Sequence, residues 1–182
     1  MIRSDTHEPP RTAIPPLKKT PATSALAVFA RAPVPGRAKT RLSPVLGARG
    51  AAALQSALIS DTIQKVRELS WRVDCYLFLA GRSALFCPPS HWRRAYQKGR
   101  SLGARLARAF GRLLANYQAV VIVGTDSPEL SIRLLRQAWR ELRTSDAVLG
   151  PCPDGGFFLI GLRRSPKVKP DRLFNAVHWG TS

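Results

Sequence analysis

The chain has 182 residues, 45% of them hydrophobic, enough for one domain with a real core and too few for two ordinary ones. Its 29 basic against 11 acidic residues give a net charge of +18, a field that draws polyanions such as nucleic acids, nucleotides or an anionic membrane surface. No apolar run reaches the roughly 18 to 20 residues of a membrane-spanning helix, and the opening residues lack the apolar stretch of roughly 7 to 15 that a secretory signal needs, so a cytoplasmic protein is expected.

Residues 1–24 carry Pro9, Pro10, Pro15, Pro16 and Pro21 among charged and hydroxyl side chains. Such a composition does not repay the entropy of ordering, and it predicts a disordered, basic, proline-rich tail. The apolar run 25–29 predicts a buried strand, followed by a loop punctuated by Pro33, Pro35 and Gly36. Over 48–69, Ala51, Leu54, Leu58, Thr62, Val66 and Leu69 recur at three- and four-residue steps, the spacing of one helical face. A strand over 73–80 follows, then a helix over 102–117 with Ser101 as its cap, and a strongly apolar strand over 119–123. Ser131 caps a helix that buries Leu134, Leu135, Ala138 and Leu142, and 147–149 and 157–162 read as two more strands. Strands alternating with helices and reading as continuous apolar runs predict a three-layer α/β sandwich around a mainly parallel, Rossmann-like sheet. In such a fold ligands bind at the carboxyl ends of the strands.

Three segments fall at such ends. The loop after the first strand holds Arg31, Gly36, Lys39, Thr40 and Arg41, a set suited to cradling phosphate. Glycine lets the backbone turn sharply or approach a ligand, Arg reaches phosphate oxygens bidentately, and Lys acts as a point charge. The spacing is not that of a Walker A loop. The second segment, VVIVGTDSP, ends an apolar strand in Asp126, a place from which a carboxylate can hold Mg²⁺ or Mn²⁺ against substrate phosphates; the bland alternative is that Asp126 or Ser127 organises a turn. The third places Asp154 on a bend with Gly155 and Gly156 between two strands. An Asp-Gly pair is also a common hairpin turn, but Asp126 and Asp154 alone among 11 acids sit at strand ends among Gly and Pro.

Cys75, Cys87 and Cys152 show no CxxC or Cys/His spacing and read as ordinary reduced thiols. His91 has no neighbouring acid or nucleophile, His178 falls near the end of the chain, and Trp71 and Trp139 read as packing residues. The cations are spread along the chain, 22 of the 29 are Arg, and no nucleic-acid reading motif accompanies them.

The blocks FARAPVPGRAKTRL at 29–42, VIVGTDSPEL at 121–130 and GPCPDGGFFLIGL at 150–162 occur together with Gln97, an LGARL stretch at 102–106 that includes Gly103, and Trp179 with Thr181. In order and spacing this pattern resembles a family of bacterial GT-A-like glycosyltransferases, long carried as a domain of unknown function and in some members linked to arsenosugar biosynthesis. The fold is similar to that of guanylyl- and molybdenum-cofactor nucleotidyltransferases. The resemblance spans 25–182 and implies a nucleotide-diphospho-sugar transferase fold there, truncated at its C-terminus, since relatives continue with a further helix, strand and acidic segment. It implies that Arg31, Gly36, Lys39, Thr40 and Arg41, with Gln97 and Gly103, serve the nucleotide phosphates. Asp126 would be the catalytic metal ligand, for Mg²⁺ or Mn²⁺, and Asp154 a second catalytic acid by the acceptor or metal, with Gly155, Gly156 and Trp179 on the acceptor side. Two positions depart from the pattern: Arg100-Ser101 stands where an acid usually precedes LG, and Phe157-Phe158 where a tyrosine pair is frequent.

The leading expectation is a metal-dependent glycosyltransferase that takes a nucleotide sugar and an acceptor still to be identified. The first alternative is a nucleotidyltransferase that moves a guanylyl or cytidylyl group from an NTP to a phosphorylated acceptor. An alternative of another class is a basic nucleic-acid-binding or catalytically inactive interaction protein.

Overall fold

The structure, a computed structural model, describes residues 23–69, 73–83, 86–127, 130–153 and 155–175. Among these residues six strands form one sheet: β1 (Ser24–Arg31), β2 (Asp74–Ala80), β3 (Arg93–Tyr96), β4 (Ala119–Val123), β5 (Ala147–Pro151) and β6 (Phe157–Arg163). Their order is β3-β2-β1-β4-β6-β5. The first four run parallel, while β6 lies antiparallel to both β4 and β5. Among the described residues four α-helices cover it: α1 (Ser43–Val66), α2 (Leu102–Leu114), α3 (Ile132–Glu141) and α4 (Pro170–Asn175).

Alternate side chains of one strand face opposite ways, so each strand feeds two cores. Leu26, Val28, Val121 and Val123 face α1 and α3, against Ile59, Ile63, Leu135 and Leu142. Ala25, Ala27, Val120 and Ile122 face α2 and α4, against Leu106, Phe110, Leu113 and Phe174. This double burial is why β1 and β4 read as unbroken apolar runs, and it makes the expected three-layer sandwich the observed one.

Three sequence expectations change. The edge strand β3 was not anticipated, because Arg93-Arg-Ala-Tyr96 buries only Ala95 and shows no apolar run. Helix α1 begins at Ser43, but it is kinked at Gly47 (φ 68°, ψ 164°), so the regular part starts at the expected place. Of the expected face, Ala51, Thr62, Val66 and Leu69 are buried, but Leu54 and Leu58 are only half-buried and Ala52, Gln55, Ile59 and Ile63 are buried instead. The caps hold as expected: Ser101 accepts from the Ala104 N–H at 3.1 Å and Ser131 from the Leu134 N–H at 3.3 Å. Helix α2 ends at Leu114 rather than 117, and residues 1–22, Trp71 and His178 lie outside the described residues.

At the amino ends of the strands a polar chain ties the sheet together. Arg93 donates to the Tyr76 hydroxyl at 3.0 Å, Tyr76 and Tyr117 share a 2.9 Å bond, and Tyr117 donates to the Asp74 carboxylate. Burial, then the bond to Asp74, pushes the Tyr117 phenol well above its ordinary range. This cluster sits at the end of the sheet opposite the strand ends expected to bind ligand.

Candidate functional site

A cleft of about 670 Å³ opens over the carboxyl ends of β1, β2 and β4, where the parallel strands were expected to present a ligand site. Arg31, Lys39, Thr40, Arg41, Gln97, Asp126 and Gly156, all singled out from sequence, line it. Gly36 and Gly103 do not. Gly36 instead supplies a positive φ of 72° to the turn, and Gly103 is buried in the first turn of α2. Gly155 lines a second, largely apolar cavity of about 750 Å³ that shares Gly156, Phe157 and Gly124 with the cleft. Asp154 and Trp179 lie outside the described residues.

The first loop is built to present Lys39. Val34 O accepts from the Arg37 and Ala38 N–H groups at 3.0 and 3.1 Å, and Ala38 is fully buried as the anchor of the turn. Lys39 follows in the left-handed conformation (φ 48°, ψ 43°), the one non-glycine residue with positive φ among those described. Such a backbone costs a residue with a Cβ roughly 1–2 kcal/mol. Its Nζ meets Asp126 Oδ1 at 2.7 Å, joining the loop to the turn after β4.

Asp126 is held from a second side. The Thr125 hydroxyl donates to Asp126 Oδ1 at 3.3 Å and accepts at 3.4 Å from the Gln55 amide, itself buried in the middle of α1. Gln55 and Thr125 were not singled out from sequence. The signal for Gln55 was there, a polar residue on the helical face shared with Ala51, Ala52 and Ile59, where an unbonded amide would cost roughly 1–3 kcal/mol.

Gln97 holds the cleft from below. Its amide donates to Ala30 O at 3.2 Å and Phe78 O at 3.0 Å, locking the ends of β1 and β2 together. Arg105, on the second turn of α2, is aimed into the cleft by its 3.0 Å bond to Gly99 O. Gly99 is required there: its φ is 142°, and a Cβ would sit 2.9 Å from Ala104 and Arg105 backbone atoms.

The electrostatics are one-sided. Arg31, Arg37, Lys39, Arg41 and Arg105 line the cleft, and Asp126 is the single carboxylate among its described lining residues. Desolvating several cations together is unfavourable without an anion, so the cleft is complementary to a polyanion such as a diphosphate. Among the described residues no group of three His, Cys, Asp or Glu could hold a metal. What the cleft offers a divalent cation is Asp126, 65% exposed and met at Oδ1 by Lys39. One carboxylate together with substrate phosphates is an ordinary way to hold Mg²⁺, so the donor set fits. Among the described residues no helix is long and apolar enough to cross a membrane.

The family described as "Uncharacterized protein conserved in bacteria (DUF2064)" matches residues 62–181. Among solved structures the chain is similar to a candidate nucleotide-diphospho-sugar transferase of Desulfovibrio desulfuricans G20. That likeness has 32% identity over 87% of this chain and 70% of that one, with a TM-score of 0.77. It is also similar to a protein of Mycobacterium tuberculosis H37Rv (17% identity, 84% and 77% of the two chains, TM-score 0.55). A third likeness is to a 4-diphosphocytidyl-2C-methyl-D-erythritol synthase of Anaerococcus prevotii (11%, 79% and 72%, TM-score 0.51). The last two show the fold alone, and with the first they make it the nucleotide-diphospho-sugar transferase fold. No curated protein matches the chain.

Proposed function

The chain belongs to the DUF2064 family of bacterial proteins, and on that premise we propose that it is a transferase that takes a nucleotide sugar and moves the glycosyl group to an acceptor, with a divalent cation held at Asp126. The observation that carries the reading is the cleft itself: five cations and one described carboxylate over the carboxyl ends of β1, β2 and β4. The relative of 32% identity, named as a candidate nucleotide-diphospho-sugar transferase, supports it.

In glycosyl transfer the bond from the sugar carbon to the diphosphate oxygen breaks, and negative charge builds on the departing nucleoside diphosphate. Groups already in place to meet that charge lower the barrier, since they need no reorganisation during the reaction. Arg31, Lys39 and Arg41 are the groups for this, on a loop fixed by Ala38, and Arg105 approaches from α2. Gln97 keeps the cleft floor rigid by joining β1 to β2. A divalent cation bound by Asp126 and the diphosphate would add Lewis-acid neutralisation of the leaving group. Asp154, which precedes Gly155 and Gly156 in the sequence, is proposed to serve the acceptor as an orienting group or general base, and Trp179 is proposed to contact the acceptor.

Incubation of the protein with a panel of nucleotide sugars and Mn²⁺ tests the reading. Release of a nucleoside diphosphate, dependent on Asp126, is the result expected. Release of pyrophosphate from an NTP and a phosphorylated acceptor would make the chain a nucleotidyltransferase instead.

A further inference from the structure

The 2.7 Å contact between Lys39 Nζ and Asp126 Oδ1 joins the two residues to which the functional reading gives opposite ligands. Lys39 is assigned to phosphate and Asp126 to a divalent cation, yet each occupies the other. We infer that the pair is an interlock: without phosphate Lys39 blocks the cation site at Asp126, and a diphosphate opens that site by drawing the ammonium away. The inference rests on the functional reading above.

Three features support it. The contact is specified by the fold rather than left to a wandering surface lysine, because Lys39 is held in a left-handed turn and its side chain is only 21% exposed. Asp126 is fixed from the other side through Thr125 and Gln55, so its Oδ1 stays where Lys39 meets it. Asp126 is also the single carboxylate among the described cleft residues, and it is the one that Lys39 meets. Like charges exclude one another at this range, so an ammonium on Oδ1 weakens any divalent cation at the same carboxylate. A diphosphate carries more negative charge than one carboxylate, and lysine's flexible stem lets its ammonium follow. Cation and diphosphate would then enter together or phosphate first, and the cation alone would bind poorly.

The interlock predicts reciprocal effects, each measured with one ligand and none of the other. Mn²⁺ binding to the full chain is followed by electron paramagnetic resonance of the free ion, with no phosphate present. Lys39→Met, which removes the charge, should bind Mn²⁺ at least threefold more tightly than the parent, and Lys39→Arg should stay near the parent. Lys39→Gly, which suits the left-handed turn, repeats the test should Met disturb the loop. Pyrophosphate binding in the presence of EDTA, by calorimetry, should tighten at least threefold in Asp126→Asn, where Lys39 is free. Lys39→Met and Lys39→Gly that bind Mn²⁺ no better than the parent would overturn the interlock. If the gain in Lys39→Met survives addition of Asp126→Asn, Asp126 is not the cation site, and the functional reading falls with the inference.

Discussion

Gln55 and Thr125, one on α1 and the other after β4, meet at 3.4 Å in the wall of the cleft and hold the carboxylate of Asp126 through the Thr125 hydroxyl. The contact carries the packing of α1 on the sheet into the site. Replacing Gln55 with Leu keeps the volume and removes the amide. The expected outcome is a melt within a few degrees of the parent but an Asp126-dependent turnover lower by about tenfold, equal to about 1.4 kcal/mol. Circular dichroism and steady-state kinetics on the same preparation separate the two effects.

Phosphate binding at the first loop should appear as stabilisation. A matching nucleoside diphosphate at 100 times its dissociation constant raises stability by about 2.7 kcal/mol. Lys39→Ala with Arg41→Ala should remove most of that shift in a thermal melt, since both side chains line the cleft.

Gly99→Ala should be costly although the residue is only half-buried. The new Cβ would stand 2.9 Å from the backbone of Ala104 and Arg105, at a φ of 142°. Strain of that kind costs about 1–3 kcal/mol. Chemical denaturation should show the loss, and the displaced Arg105 should weaken diphosphate binding as well.

Cys75 and Cys87 should differ sharply toward iodoacetamide. Cys87 is exposed, whereas burial, with Asp74 adding to it, pushes the Cys75 thiol up to about 12. The folded state therefore favours the neutral thiol. The stability this gives is complete below an exposed thiol's ordinary value of about 8.5 and is lost as pH rises toward 12. Mass spectrometry after labelling at pH 8 should find Cys87 modified and Cys75 intact until the protein is unfolded.

How far the sequence spoke depended on how each residue's task is encoded. β1 and β4 were legible because burial on both faces demands unbroken apolar runs such as Val120–Val123, and α2 and α3 because Ser101 and Ser131 mark their starts. Edge strand β3 was hidden, since Arg93 and Arg94 are exposed and only Ala95 is buried, which leaves no apolar run to mark it. In the site, Lys39, Arg41 and Asp126 stood out as charges beside Gly and Pro, and the cleft brings them together. Gln55 did not, because a buried amide looks like any polar residue of a long helix until the fold shows Thr125 opposite it. The Lys39–Asp126 pair was equally invisible: one residue was read for phosphate, the other for metal, and only the geometry sets them 2.7 Å apart.

The most direct measurement is the thermal melt of Asp126→Asn with a nucleoside diphosphate, with and without Mn²⁺. Asn keeps the shape and one carbonyl oxygen but lacks the charge a divalent cation needs from a protein ligand. Asp126 is 65% exposed, so losing its pair with Lys39 should change the ligand-free melt by no more than about 1 kcal/mol. The variant should respond to diphosphate without metal more strongly than the parent, because Lys39 is released, and should lose the further stabilisation that Mn²⁺ gives the parent. A variant that melts early yet keeps the full Mn²⁺ response would contradict this and make Asp126 a structural residue.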